Sequence, residues 1–444
     1  MRLHQQLPLW VLAALGIPGV VSSQEIPLAV EAVLDRANIR DINWGYLIES
    51  ADGNAEYYGR NADFAMVPAS NTKIFTTAAG FGLLGETYAF RTRAFHTGTR
   101  NGATVTGDII LLGEHDITWH SDVFGSGNAA RGLRTLAQKV RAAGITQING
   151  AVVGQGAMIY NKSSTGTDHS SLTSTQNRNA EAAAAFRSEL VAAGVTVING
   201  SSGATGFNPP AGSTLIATYL STENNDVETG RPLDLAEACI ALNKGSHNGM
   251  ADYLMRHIGY KITGVDTYQA GAQQSIAWFN TSLDVNTTGM ILNDGSGLDR
   301  TNKVTPKQTV DVFREMTLRS PRWVATFPIG GVDGTLGGRL ASIRGQVIAK
   351  TGTLPSSGSV SLSGFHNHPI TGERYFFSIY ANTDGILTGG TQAIDATTTR
   401  QAMDDSLVAF AGQRPAFAPD LLLTRTASDG TIRLEWNDPG FTTA

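Results

Sequence analysis

Strand and helix patterns at the two ends of the chain constrain its fold most. Five segments have strand-like sequences: 42–50 and 56–60, which predict a hairpin around Asp52-Gly53, and 346–353, 358–366 and 374–382. Two segments with helical periodicity lie outside them: 26–38 and 392–411. Because terminal helices can cover one face of an antiparallel sheet, these patterns predict an α+β fold.

Length and charge exclude several classes of protein. The chain has 444 residues, of which 41% are hydrophobic and 16% charged, which is enough for a substantial core and two or three domains. Its formal charge of −5 gives no basic surface for nucleic acid. The nine histidines show no metal-ligand spacing, so we predict no metal site.

Three short motifs occur in an order and spacing that are typical of a serine acyl-transfer site. They are Ser70-Asn71-Thr72-Lys73, Ser246-His247-Asn248 and Lys350-Thr351-Gly352. Each motif alone is weak, since each is short enough to arise by chance in a chain of this length. Ser70 precedes an apolar run and predicts a helix over 70–84, whereas Lys350 ends a strand-like run.

The first motif can activate its serine if it is helical. Position i+3 returns to the same helix face, so the amine of Lys73 lies beside the Ser70 hydroxyl and can take its proton. Lys73 must then be neutral, which burial and a second cation, Lys350, could achieve. The alternative is that Ser70 is only an N-cap and Lys73 a solvated cation. Ser246 and Asn248 could likewise be loop residues that cap a helix starting near Met250.

Further segments extend the pattern. Residues 293–300 contain Asp-Gly-Ser-Gly-Leu, residues 331–336 read Gly-Val-Asp-Gly-Thr-Leu, and residues 362–365 read Leu-Ser-Gly-Phe. With the three motifs, they make the chain resemble class C low-molecular-mass penicillin-binding proteins over most of residues 26–412. These are the D-alanyl-D-alanine carboxypeptidase/endopeptidases of the serine β-lactamase and penicillin-binding protein superfamily. The resemblance implies a β-lactamase/transpeptidase-like antiparallel sheet flanked by helices, with an inserted domain.

The resemblance also implies roles for the motif residues. Four of them would be catalytic: Ser70, Lys73, Ser246 and Asn248. Four would bind the terminal carboxylate or line the substrate strand: Lys350, Thr351, Gly352 and Thr353. The backbone N–H groups of Ser70 and Thr353 would form the oxyanion hole. One departure is His247, since the middle residue of the second motif is usually Asp in the family; we expect activity to survive it.

These roles predict a serine-type D-Ala-D-Ala carboxypeptidase that forms an acyl-enzyme and needs no cofactor. Its expected partners are D-Ala-terminated peptidoglycan peptides, with β-lactams as inhibitors, and endopeptidase action on cross-links is an additional expectation. Two alternatives stay open. One is a β-lactamase-like esterase or D-amino-acid peptidase, and the other is a catalytically silent wall-binding protein.

Composition divides the chain into segments. The catalytic domain is predicted at 24–87 and 206–412, interrupted by a Gly- and Thr-rich inserted domain at 88–205. The tail, 413–444, is Pro-rich at its start and contains one strand pattern, 431–436, without a visible partner.

Residues 1–23 are predicted to be a signal peptide. Arg2 supplies the positive charge, a 15-residue apolar stretch follows at 7–21, and small residues precede a cleavage site near Gln24. An uncleaved anchor is the alternative, but the stretch is short for a span of roughly 20 residues. We therefore expect a secreted or periplasmic protein without a stable membrane span.

Overall fold

A computed structural model of the chain describes residues 25–36, 38–119, 126–156, 172–226, 229–369, 372–412, 421–425 and 432–436. The predicted signal peptide lies outside these residues, as does most of the predicted tail. Within the described residues, no helix has both the length and the apolar character that a bilayer span requires.

The first part of the chain forms a helix, a hairpin and a second helix. Its elements are α1 (Glu25–Leu34), β1 (Asn43–Ser50), β2 (Glu56–Arg60) and α2 (Thr72–Leu84). Strands β1 and β2 pair antiparallel, as the hairpin prediction requires. Helix α2 has no exposed face over its first ten residues, because it is surrounded by other elements of the domain.

The middle of the chain forms two further sheets with two helices. Its elements are β3 (Arg91–His96), β4 (Thr99–Asn101), β5 (Thr104–Thr106), β6 (Ile109–Gly113), α3 (Ser126–Ala142), β7 (Gln147–Ile148), β8 (Val152–Gln155), α4 (Leu172–Ala192), β9 (Thr196–Val197), β10 (Ser201–Gly203) and β11 (Thr214–Leu220). The strand orders are β10-β8-β6-β3-β11 and β4-β5-β7-β9. Strand β11 pairs with β3, so this sheet continues past residue 205. The division of the chain into domains stays a prediction.

The last part of the chain contains the remaining helices and three strands of the central sheet. Its elements are α5 (Leu235–Lys244), α6 (Asn248–Thr263), α7 (Tyr268–Ser282), α8 (Pro306–Arg319), α9 (Pro321–Val324), β12 (Val347–Leu354), β13 (Ser359–Asn367), β14 (Arg374–Asn382), α10 (Asp384–Leu387) and α11 (Ala396–Gly412). Thr305 and Gln308 form a capping box that fixes where α8 begins.

The central sheet has the order β12-β13-β14-β1-β2, and every neighbouring pair is antiparallel. Alternation along β13 sends Val360 and Leu362 into the core that α1 and α11 cover. Ser361 and Ser363 point to the opposite face, where they meet the turn before α2. Helices therefore cover both faces of an antiparallel sheet, and the predicted α+β fold is confirmed.

The tail contains a strand pair rather than a single strand. Strand β15 (Leu421–Arg425) pairs antiparallel with β16 (Ile432–Trp436). The prediction that the strand near 431–436 has no partner was wrong. Three consecutive leucines in β15 lack the alternation by which a strand is recognised, so the pattern did not reveal it.

Candidate active site

Ser70 and Lys73 lie together at the start of α2. Ser70 belongs to a 3-10 turn, Ala69–Asn71, that leads into the helix. Its Oγ accepts a hydrogen bond of 2.9 Å from Lys73 Nζ. The N-cap of α2 is Asn71, so the alternative that Ser70 serves as the N-cap is wrong. The hydroxyl is instead directed at an amine.

The backbone before Ser70 has an unusual conformation. Ala69 has φ +48°, in the left-handed region that a residue with a side chain occupies at a cost of about 1–3 kcal/mol. Neighbouring groups hold it there. A Cβ on Gly297 would lie 1.8 Å from the Ala69 carbonyl oxygen, so only glycine allows this approach. The Ser361 hydroxyl donates to the Pro68 carbonyl at 2.7 Å.

Lys73 is fully buried, which excludes the alternative of a solvated cation. Besides Ser70, its Nζ donates to Asn248 Oδ1 at 2.8 Å and to the Ser296 carbonyl at 2.6 Å. Burial lowers the pKa of Lys73 to about 8, and the charges of Asp252 and Asp294 act against that shift. A usable fraction of neutral amine therefore exists near neutral pH.

The second motif meets both lysines. Asn248 is the first residue of α6, and its side chain accepts from Lys73. Ser246 has φ +56°, and its Oγ accepts a hydrogen bond of 2.8 Å from Lys350 Nζ. The N-cap of α6 is His247, between the two. Neither Ser246 nor Asn248 is therefore the N-cap of α6, and each side chain contacts a buried lysine.

The third motif lies on β12, beside the turn of Ser70. Lys350 is buried, and its Nζ also donates to the Thr351 carbonyl at 2.8 Å. Burial, and then the charge of Lys73, hold the pKa of Lys350 well below its usual range. A Cβ on Gly352 would lie 2.8 Å from the Ser70 backbone nitrogen, so glycine lets the strand approach the serine. The Thr353 hydroxyl donates to the Gly352 carbonyl at 2.7 Å.

Sequence reasoning missed three contributors to the site. Asp252 lies one helical turn after Asn248, and this spacing of four residues could have revealed it. The Ser296 carbonyl accepts a hydrogen bond from Lys73, a backbone contact that the Asp-Gly-Ser-Gly-Leu sequence does not reveal. The Thr351 hydroxyl donates to Thr335 Oγ1 at 2.7 Å, a contact between distant segments that leaves no local signal.

The described residues contain no group of three His, Cys, Asp or Glu side chains that could hold a metal ion. The side chains linked to Ser70 through the lysines instead supply the amines of Lys73 and Lys350, the hydroxyl of Ser246 and the amide of Asn248. Such a set is suited to moving protons and binding an anion.

Comparison with known families decides the relationship. A model of the D-Ala-D-Ala carboxypeptidase 3 (S13) family matches residues 27–205 and 163–409. The chain belongs to this family. A member of the D-Ala-D-Ala carboxypeptidase 3 family is a serine-type hydrolase, so the predicted enzyme class and the resemblance to penicillin-binding carboxypeptidases are confirmed.

Individual relatives agree with this assignment. A D-alanyl-D-alanine carboxypeptidase from an Actinomadura species is 26% identical over 493 aligned residues, which cover 92% of this chain and 89% of that protein. The D-alanyl-D-alanine carboxypeptidase DacB of Haemophilus influenzae is 33% identical over 150 residues, covering 31% of this chain and 30% of that protein.

Solved structures share the fold of this family member. Penicillin-binding protein 4 from Haemophilus influenzae, complexed with a β-lactam, matches with a TM-score of 0.65 at 21% identity and covers 86% of this chain and 99% of that one. A predatory endopeptidase from Bdellovibrio bacteriovorus matches with a TM-score of 0.57 at 17% identity, covering 84% and 93%. The expected penicillin-binding protein fold is therefore confirmed.

Proposed function

We propose that this member of the family hydrolyses D-Ala-D-Ala-terminated peptidoglycan peptides at the site around Ser70, through an acyl-enzyme. Endopeptidase action on cross-links is part of the proposal. The observation that carries it is the hydrogen bond between Ser70 Oγ and the buried amine of Lys73, 2.9 Å long. A serine hydroxyl becomes a competent nucleophile only with such a base in reach.

Acylation begins with proton transfer from Ser70 Oγ to neutral Lys73 Nζ. The Ser70 oxygen attacks the carbonyl carbon of the penultimate D-Ala, and the carbonyl oxygen gains negative charge. The backbone N–H groups of Ser70 and Thr353 would stabilise that charge. The close approach of Gly352 to the Ser70 nitrogen supports this role, because it places the strand that carries Thr353 beside the backbone of Ser70.

Departure of the leaving D-Ala needs a proton on its amine nitrogen. Ser246 can give its hydroxyl proton to that nitrogen and recover one from Lys350, to which it is hydrogen-bonded at 2.8 Å. Asn248 holds Lys73 in place and can bind the substrate amide. Net transfer of one proton from Lys73 to Lys350 through solvent returns both lysines to their starting states. Neutral Lys73 then takes a proton from the water that attacks the ester, and gives it to Ser70 Oγ as the ester bond breaks and the shortened peptide leaves.

The leaving D-Ala carries a carboxylate, which must be bound close to Ser246 and Lys350. Lys350 supplies a positive charge, and the hydroxyls of Thr351 and Thr353 lie on the same strand. The low intrinsic affinity of the buried Lys350 amine for a proton would rise when the carboxylate arrives, because an opposite charge stabilises the ammonium form. β-Lactams, which carry a carboxylate at a similar spacing, would acylate the same serine.

We further propose that the protein is exported, with residues 1–23 acting as its signal peptide. The charged start, the apolar stretch and the small residues near Gln24 support this part of the proposal. A periplasmic or secreted location is where a peptidoglycan substrate is found.

Turnover of a D-Ala-D-Ala peptide tests the proposed function. We expect the protein to release D-Ala from a peptide that ends in D-Ala-D-Ala and to leave the L-Ala-L-Ala counterpart intact. Ser70→Ala should release none. Faster turnover of simple esters than of the peptide would favour the esterase alternative, and saturable binding of the peptide without D-Ala release would favour the wall-binding alternative.

A further inference from the structure

Asp252 is a buried carboxyl group of α6 that faces the base of the site. Its residue is 5% exposed. It follows Asn248 by four positions on the helix, so the two side chains share a face. Because Asn248 Oδ1 is 2.8 Å from Lys73 Nζ, that face is the one directed at α2.

Hydrogen bonds connect Asp252 to the Lys73 acceptor on the 294–297 turn. Asp252 Oδ1 accepts from the Gly295 backbone N–H at 3.1 Å. The Gly295 carbonyl in turn accepts from the Thr76 hydroxyl of α2 at 2.7 Å. The next carbonyl, that of Ser296, accepts from Lys73 at 2.6 Å. A Cβ on Gly295 would lie 2.2 Å from the Ala251 carbonyl oxygen, so the turn is pressed against α6.

We propose that Asp252 is a positioning residue that acts through Lys73, holding the Ser296 carbonyl toward the amine and setting how readily Lys73 gives up its proton. The proposal rests on the function proposed above, in which neutral Lys73 deprotonates Ser70. The hydrogen bonds of Asp252 go to the 294–297 turn, so it acts on Ser70 through Lys73.

A second carboxylate, Asp294, is less suited to this role. Its oxygens accept hydrogen bonds from four donors: Ser296 Oγ, Gly297 N, Asp299 N and Asn302 Nδ2. These bonds shape the turn. Asp252 is engaged by fewer donors, and burial together with the nearby charge of Asp294 raises the pKa of Asp252 to about 7, against the attraction of Lys73.

Charged and titratable groups from several elements surround Asp252 and Lys73. Lys73 comes from α2, Asp294 from the turn, Lys350 from β12, and Tyr268 from α7. Burial raises the pKa of Tyr268, so it stays neutral. Asp252 and Asp294 favour the ammonium form of Lys73, and the charge of Lys73 lowers the pKa of Lys350. The charge on Asp252 thus makes Lys73 a stronger base and also keeps it protonated to higher pH.

Asp252→Asn separates charge from geometry, because the amide oxygen can still accept from the Gly295 N–H. We would measure the rate of acylation by a fluorescent penicillin across the neutral pH range. In the native protein the rate should rise with pH through about 8, as Lys73 loses its proton. In the variant this rise should move to lower pH by about one unit. The rate at high pH should fall, since the base is weaker.

The matched control is Asp404→Asn, which removes a buried carboxylate that pairs with Arg339 on the far side of the sheet. It should leave the position of the rise unchanged. A uniform loss of rate in Asp252→Asn, without a shift, would reduce Asp252 to a structural role. If that variant does not fold, Asp252→Glu keeps the charge and should keep the native pH profile, and a shifted profile there would overturn the proposal. Absence of any label on the native protein would instead defeat the proposed function itself.

Discussion

Replacing Lys73 by arginine is expected to lower the rate of acylation by a factor of about 10²–10⁴, the usual contribution of a general base. A guanidinium keeps its proton at any pH that the protein survives, so it cannot take one from Ser70. Lys73→Met removes the amine and keeps a similar volume, and it should lower the rate of acylation by the same factor. Substantial acylation of the arginine variant would show that no neutral amine is needed.

The control for this pair is Lys307→Arg. Lys307 lies on α8, where it pairs with Asp311 and Glu49 and is partly exposed. The substitution should leave the labelling rate unchanged. Thermal unfolding of all three variants separates a loss of chemistry from a loss of fold, because a buried lysine with three acceptors also contributes to packing.

Gly352→Ala is expected to lower the rate of acylation about 100-fold, although it adds a single methyl group. That carbon would lie 2.1 Å from Ser361 Oγ and 2.8 Å from the Ser70 nitrogen, so β12 or the serine turn must move. A displacement of about 1 Å at a reacting group is enough for a loss of this size.

Gly338→Ala is the matched control for Gly352→Ala. A Cβ at position 338 has no neighbour within 4 Å among the described residues, so this variant should acylate at the native rate. If Gly352→Ala also acylates at the native rate, the proposed contact between the strand and the serine turn does not matter for catalysis.

The strands of the sheet could be predicted from their strand-like composition and the turns between them, and alternation is clear in β13. In β13, alternate residues pack against helices on opposite faces, and the pattern of apolar and small polar residues records both environments. Ser70 and Lys73 could also be paired in advance, since helical spacing places them on one face. That Ser246 and Lys350 belong to one site was implied only by the family resemblance, because no local rule connects separate segments.

Other features had no sequence signal. Ala69 and Ser246 adopt positive φ, yet neither is glycine, asparagine or aspartate, the residues that usually indicate such a conformation. Their conformations are set by tertiary contacts. Thr335 meets Thr351 for the same reason. Asp252 was the one omission that spacing could have prevented.

The central claim is that Ser70 is the nucleophile, and covalent labelling with penicillin tests it most directly. The intact protein should gain one penicillin adduct per chain, and mass spectrometry of its peptides should locate that adduct on Ser70. Ser70→Ala should remain folded, since Ser70 does not occupy the N-cap of α2, and it should take no label. An adduct on Ser246 or Ser296, or no adduct on the native protein, would contradict the account.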